Sequence, residues 1–366
     1  MISFGYNYQT LKRHAIHPYP AKFPASIPYQ IINEYLSPSS SKVIFDPFSG
    51  CGTTLLEGIN CGHHVIGNDT NHIGNLITRV KTENYTPLSF KRMDKVCEQL
   101  MNKLDRNKIR ITRNFHGRDH WFQKNVQQEV SLIINEISKI KDNKICDLLK
   151  VCLSNILIDI SNQESDTRYA AIDKKIKNKV TIKKFITKYF EIKDIILNEV
   201  LPNKNKRSIF NQDIMKLNVV KDNSVDIIIT SPPYANTYDY YLYHKHRMNW
   251  LDYDYTSCQS SEIGSRNQYS SKKDKVDVWM SDIKKFLIIL SSKLRSKSIM
   301  SLIIGDSVIN KQLFDVSQYI KNIQKEVSMS HISTISESMK KNSRKFNHKF
   351  RSNLDKKEHI IILQRK

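Results

Sequence analysis

The sequence is poor in acids, in glycine and in any pairing of its cysteines. Its 366 residues carry 36 acids against 58 lysines and arginines, a formal charge of +22. Ile-, Asn- and Lys-rich usage can supply lysine, but it does not explain the missing acids. The excess favours a polyanionic partner, because neutralising phosphates releases condensed counterions. The six cysteines, Cys51, Cys61, Cys97, Cys146, Cys152 and Cys258, contain no C-x-x-C pair and do not alternate with histidine at zinc spacing. That excludes a zinc framework, so no metal is expected, and the thiols read as reduced and mostly buried in a cytoplasmic protein. No apolar run is long enough to cross a bilayer and no signal peptide is visible, which excludes the membrane and secreted classes. The hydrophobic fraction of 39% supports a sizeable core, and the length suits one catalytic domain with a second module.

Against these absences stands Thr230-Ser231-Pro232-Pro233-Tyr234, directly after the apolar run 225–229. The run reads as a buried strand, so the prolines place a rigid turn at the carboxyl edge of a sheet, where ligands bind in open α/β folds. Two prolines remove two donors and leave the preceding carbonyls free to accept. A hydroxyl, a free carbonyl and an aromatic plate in that order suit holding an exocyclic amino group. Upstream, 43–56 runs from a strand through Gly50 and Gly52 into a helical stretch closed by Gly62. The two glycines allow tight turning and close approach of a ligand, and the helix start offers unpaired N–H donors. A dinucleotide loop would need a third glycine where Leu55 stands, which disfavours a pyrophosphate site. A second strand, 64–67, ends at Asn68-Asp69, and a carboxylate at that tip is placed to accept ribose hydroxyls. A proline-rich arm, His17 to Pro24, precedes a helix from Pro28 to Leu36.

These motifs, in this order, resemble those of S-adenosylmethionine-dependent DNA amino-methyltransferases. The Asp-Pro-Phe-x-Gly-x-Gly segment resembles the family's first motif, which wraps the methionine part of the cofactor, and implies contacts from Asp46, Phe48, Ser49, Gly50, Gly52 and Thr53. The resemblance gives Asp69 the ribose and Asp213 the adenine amino group. The arm is similar to the tenth motif and implies Tyr19, Lys22 and Phe23 at the methionine end. Ser231, Pro232, Pro233 and Tyr234 match the catalytic motif. The implied fold is α/β: a Rossmann-like class I methyltransferase with a seven-stranded mixed sheet, plus a helical insertion. The motif order resembles the alpha arrangement, which puts target recognition between cofactor and catalytic motifs; here the insertion precedes the third motif. The expected division is residues 1–81 for cofactor binding, 82–207 for the helical insertion and possible target recognition, and 208–366 for catalysis with a basic hairpin.

Within the insertion, helix-period stripes such as Val126, Val130, Ile133 and Ile137 read as packing faces, and the polar stretch 162–169, with Arg168, carries side chains able to read base edges. The lysines from Lys174 to Lys188 suit either a solvated helix face or phosphate contact. Tyr238 and Arg247, after the catalytic motif, suit base stacking and phosphate contact. Phe346 and Phe350 interleave with Arg344, Lys345, Lys349 and Arg351 in a basic segment, a pattern suited to contact with DNA. The expected partners are double-stranded DNA and, in a restriction-modification setting, a cognate endonuclease. No Pro-Cys dipeptide occurs, which argues against attack on a cytosine ring by cysteine. Serine at the first catalytic position points to cytosine N4 as acceptor, with adenine N6 the alternative. RNA or protein glutamine methylation and a silent DNA-binding subunit stand further off.

Overall fold

The computed structural model describes residues 2–103, 109–166, 168–202, 205–234, 239–264, 275–309, 312–339 and 355–366. In chain order its strands are β1 (Val43–Asp46), β2 (His64–Asn68), β3 (Gln163–Ser165), β4 (Arg168–Ala171), β5 (Arg207–Phe210), β6 (Val225–Thr230), β7 (Leu294–Gly305), β8 (Ser307–Ile309), β9 (Gln312–Phe314), β10 (Met329–Ser338) and β11 (Lys357–Arg365). Seven of them form one sheet in the order β10-β11-β7-β6-β1-β2-β5, and β3-β4 and β8-β9 are separate two-stranded ribbons. β5, β2, β1, β6 and β7 pair in parallel, while β11 runs against both of its neighbours. This order, with its one reversed strand, is the class I methyltransferase sheet.

The helices are α1 (Ser26–Tyr35), α2 (Thr53–Asn60), α3 (His72–Lys81), α4 (Pro87–Lys103), α5 (Arg118–Trp121), α6 (Lys124–Ser138), α7 (Asn143–Ile156), α8 (Val180–Asn198), α9 (Tyr240–Leu251), α10 (Tyr255–Ser261), α11 (Lys275–Lys293) and α12 (Val316–Ile323). Alternation along the strands decides which helices cover which face. Ile227 and Ile229 of β6 pack with α1 and α2, whereas Ile228 packs with α11 and α12. Both faces are covered, which is why the central strands read as continuous apolar runs.

Residues 82–207 enter between β2 and β5, adjacent parallel strands that need a crossover in any case. They supply α4 to α8 and the β3-β4 ribbon, and their apolar stripes share one buried cluster with α3 and α9. Among the described residues, no helix is long and apolar enough to cross a membrane. The strand order reverses between β1 and β6, with β2 and β5 on one side and β7 on the other. The carboxyl ends of the parallel strands therefore open a crevice at that point.

Candidate active site

A cleft of about 870 Å³, counting its open mouth, lies at this reversal. Its floor is the turn after β1. Gly50 and Gly52 adopt φ of +47° and +78°, a region L side chains enter at a cost. The Gly50 N–H donates to Asp69 Oδ2 at 2.7 Å, and the Thr78 hydroxyl donates to the Gly50 carbonyl at 3.1 Å. A Cβ on Gly52 would lie 2.7 Å from Thr78 Oγ1 and Cγ2, so the loop closes on α3 only with glycine there.

Asp46 ties this floor to the catalytic strand. Its Oδ1 accepts from the Thr230 hydroxyl at 2.6 Å and from the Phe48 N–H at 3.2 Å. The Thr54 hydroxyl, on the first turn of α2, donates to the Ile229 carbonyl at 3.2 Å. The first motif and the end of β6 are thus held as one unit. Beyond β6, Ser231 and Pro233 line the cleft, Pro232 is buried, and the Pro233 carbonyl accepts from Trp279 Nε1 at 3.4 Å. The Tyr234 ring packs on Gly305, where a Cβ would stand 2.9 Å from Cε2, and its hydroxyl donates to Glu358 Oε1 at 2.9 Å.

The arm closes one side. Tyr19, Ala21, Lys22 and Phe23 line the cleft, with Tyr19 held between the backbone of Gly50 and the ring of His244, its centroid 4.9 Å from that of His244. Of the other expected cofactor residues, Phe48, Ser49, Gly50, Thr53 and Asp69 line the cleft. Gly52 and Asp46 lie behind its wall. Asp213 caps the 3-10 turn Ile214–Lys216 by accepting from the Met215 N–H at 3.0 Å, and its neighbours Gln212 and Ile214 reach the cleft instead.

Sequence reasoning missed a whole wall. Tyr240, Cys258, Ser261, Glu262 and Ile263 line the cleft from the start of α9 and the end of α10. Glu262 accepts from the backbone N–H of Tyr240 at 2.7 Å and of Tyr241 at 3.2 Å, satisfying the orphan donors of the α9 start. A lone acid in a serine-rich stretch carries no motif, so the sequence held no signal for it.

Burial dominates the electrostatics. Desolvation pushes the Asp46 carboxyl up to about 7 and that of Asp69 to about 6, against the hydrogen bonds that favour their charged forms. Desolvation likewise raises Glu262 to about 8, with Asp239 and Asp69 adding repulsion. Each group keeps its proton in the folded chain at a pH where the unfolded chain has lost it. The resulting stability is complete below the ordinary carboxylate range and is lost as pH rises through about 6, 7 and 8. These three carboxyls lower the melting temperature of the ligand-free protein as pH rises, while His14, His17, His244 and His246, held by burial below the usual imidazole range, add stability as pH rises to about 7, so a net fall is expected above about pH 7. Asp69→Asn should remove the contribution centred near 6, which the difference between parent and variant in a pH series of thermal scans would read.

The expected DNA contacts scatter. Arg168 is exposed on β4 and pairs with Glu164 at 2.8 Å. Tyr238, Arg344, Lys345, Lys349 and Arg351 lie outside the described residues. Arg247 does not reach the surface, and its expected phosphate contact is corrected. It is fully buried, donating to the Ser154 carbonyl at 2.9 Å and the Tyr243 carbonyl at 3.1 Å and pairing with Asp166. His244 and His246 beside it are buried as well, with His246 stacked on Tyr169 of β4. The physical reason is that no residue of α9 is exposed and the face bearing Arg247 is buried, so the guanidinium bonds inward and, through Asp166, ties the β3-β4 ribbon to α9. Arg247→Met should cost about 3 kcal/mol of stability, because Asp166 and two carbonyls lose their donor. It should leave the salt dependence of DNA binding unchanged; a shallower salt slope would restore the phosphate contact.

A family model described as DNA methylase, of N6- and N4-methyltransferases, matches residues 4–78, which hold the arm, the glycine loop and Asp69. The type II methyltransferase M.MvaI of Kocuria varians is 24% identical over 336 residues, covering 86% of this chain and 72% of that protein. M.AvaI of Nostoc sp. is 27% identical over 268 residues, covering 66% of this chain, which thus spans about half (54%) of that relative. A solved S-adenosylmethionine-dependent methyltransferase from Methanosarcina mazei overlaps 95% of this chain and 98% of its own at 8% identity, with a TM-score of 0.35. Joined to the sheet order and to the motifs gathered around one cleft, the match and the relatives support the DNA amino-methyltransferase family for this chain.

Proposed function

We propose that the protein transfers a methyl group from S-adenosylmethionine to the exocyclic N4 of cytosine in double-stranded DNA. The observation that carries the reading is that Ser231 and Pro233 of the catalytic motif line the same cleft as Gly50, Asp69 and the arm residues Tyr19, Lys22 and Phe23. The cleft suits the donor by its chemistry. It offers a glycine turn that side chains would obstruct, a carboxyl at the tip of β2, and the buried amide of Asn71, whose Nδ2 has no partner among the described residues. When bound, the donor supplies a methyl group already activated on a sulfonium.

The residues of this chain then have to prepare the amine. Its lone pair is delocalised into the ring, so the nitrogen is a poor nucleophile until its N–H groups are held out of plane. Tyr234 donates to Glu358, which leaves the phenol oxygen to accept from the Ser231 hydroxyl within its reach. The lone pairs of Ser231 Oγ are thereby turned toward an N–H of the target, and the Pro232 carbonyl takes the second. The nitrogen gains the methyl group and loses one proton to solvent, and no covalent enzyme intermediate is needed. A base inside a duplex cannot reach the cleft, so it must leave the stack at a cost of a few kcal/mol. Arg168 and the β3-β4 ribbon, fixed to α9 through Asp166 and Tyr169, suit contact with the DNA around it. The basic segment with Arg344, Lys345, Lys349 and Arg351 suits the phosphate backbone. A cognate restriction endonuclease would complete the system.

Mass spectrometry of nucleosides digested from treated DNA tests the choice of base. N4-methylcytosine is expected. N6-methyladenine would keep the cleft and the chemistry and overturn the acceptor assignment.

A further inference from the structure

The charge lining the cleft is unbalanced. Among the described residues that line it, Lys22 is the one cationic side chain, and Asp69 and Glu262 are the two acids. Lys22 is already engaged, its amine donating to the His14 carbonyl at 3.1 Å. Asp69 has structural work as well, accepting from the N–H groups of Gly50 and Asn71.

Glu262 is harder to account for by structure alone. Its hydrogen bonds to Tyr240 and Tyr241 cap α9, but a neutral acceptor would cap a helix nearly as well. A carboxyl is an expensive choice at this place, because it is 8% exposed and close enough to Asp69 to feel its charge. Burial and that repulsion hold its proton up to about pH 8 in the ligand-free protein, so the carboxylate forms above that pH, or when an arriving cation displaces the proton. An acid kept in a cleft wall at such a cost suits a ligand that brings positive charge.

We propose that Glu262 is a specificity-determining residue that makes the cleft prefer the cationic methyl donor over its neutral product. The inference rests on the cofactor reading above and deepens it. S-adenosylmethionine and S-adenosylhomocysteine differ by one methyl group and by the positive charge on sulfur. On transfer, the sulfur–methyl bond breaks as the nitrogen–methyl bond forms, the sulfur keeps the bonding pair and becomes a neutral thioether, and the amine releases one proton. The attraction of Glu262 thus acts on the donor and lapses once the methyl group has left. Product inhibition, the usual burden of a site shaped for both molecules, is reduced without any change of shape.

The test is calorimetric titration, above about pH 8 where the carboxylate is formed, of the full chain and of Glu262→Gln with S-adenosylmethionine and, separately, S-adenosylhomocysteine. Glutamine keeps an acceptor oxygen for the α9 cap, and Glu262→Asp serves as the charge-retaining variant. The preference for the donor should fall about three- to tenfold in Glu262→Gln, as expected for one screened charge at cleft distances, and should survive in Glu262→Asp. An equal loss of affinity for both ligands, or an unchanged ratio, would reduce Glu262 to a helix cap and overturn the proposal. Failure of the unsubstituted protein to bind either ligand would instead bring down the cofactor reading, and this inference with it.

Discussion

Ser231→Ala should lower methyl transfer about 10²–10³-fold, the loss expected when one preorganised polar contact to the reacting group is removed. Donor affinity should change by less than about twofold. Thr230 is locked to Asp46 and the Ile229 carbonyl to Thr54, so the backbone that delivers Ser231 does not depend on the serine side chain. The Pro233 carbonyl is held by Trp279, which fixes the far side of the turn. Removing the hydroxyl therefore deletes one acceptor and leaves the cleft as it was. Single-turnover transfer measured beside equilibrium donor binding separates the two quantities. A variant that loses donor binding in step with transfer would show that Ser231 shapes the cleft and does not hold the amine.

Gly52→Val is the second large effect, and it acts on the floor of the cleft. Its φ of +78° costs an L residue about 1–2 kcal/mol, and more for a β-branched side chain. The new Cβ would also meet Thr78 at 2.7 Å, forcing away the hydroxyl that holds the Gly50 carbonyl. Strain and overpacking together should remove about 3 kcal/mol of stability, read by urea unfolding. Donor affinity should fall by more than about tenfold, since each 1.4 kcal/mol of misplaced loop is a factor of ten. The smaller Gly52→Ala should fall between the variant and the parent. A valine variant that binds the donor normally would mean that the loop is not the part of the cleft that holds it.

The features that could be read from the sequence are those whose chemistry is local. Gly50 and Gly52 announce a turn because other residues avoid those torsions, and the paired prolines after Thr230 announce a rigid edge by what they cannot donate. The strand read over 225–229, and observed over 225–230, was legible because a central parallel strand is buried on both faces. The wall containing Glu262, Cys258 and Tyr240 was not legible, since it reaches the cleft only through the packing of α9 and α10. Arg247 was misread for a related reason. In a sequence, a helix bearing histidines, lysine and arginine looks solvent-facing, and only the fold reveals that Ser154, Tyr243 and Asp166 are there to receive the guanidinium. The helical stripes of residues 82–207 could be seen, but not that they merge with α3 and α9 into one core.

The central claim is that one cleft joins a sulfonium donor to an amine carried by DNA. Its most direct test is incubation with methyl-labelled S-adenosylmethionine and, in separate reactions, unmodified duplex DNA, RNA and protein, followed by counting the label in each acceptor. Label in duplex DNA, reduced about 10²–10³-fold by Ser231→Ala, is the predicted result. Label in RNA or protein alone, or none in any acceptor while the donor binds, would contradict it.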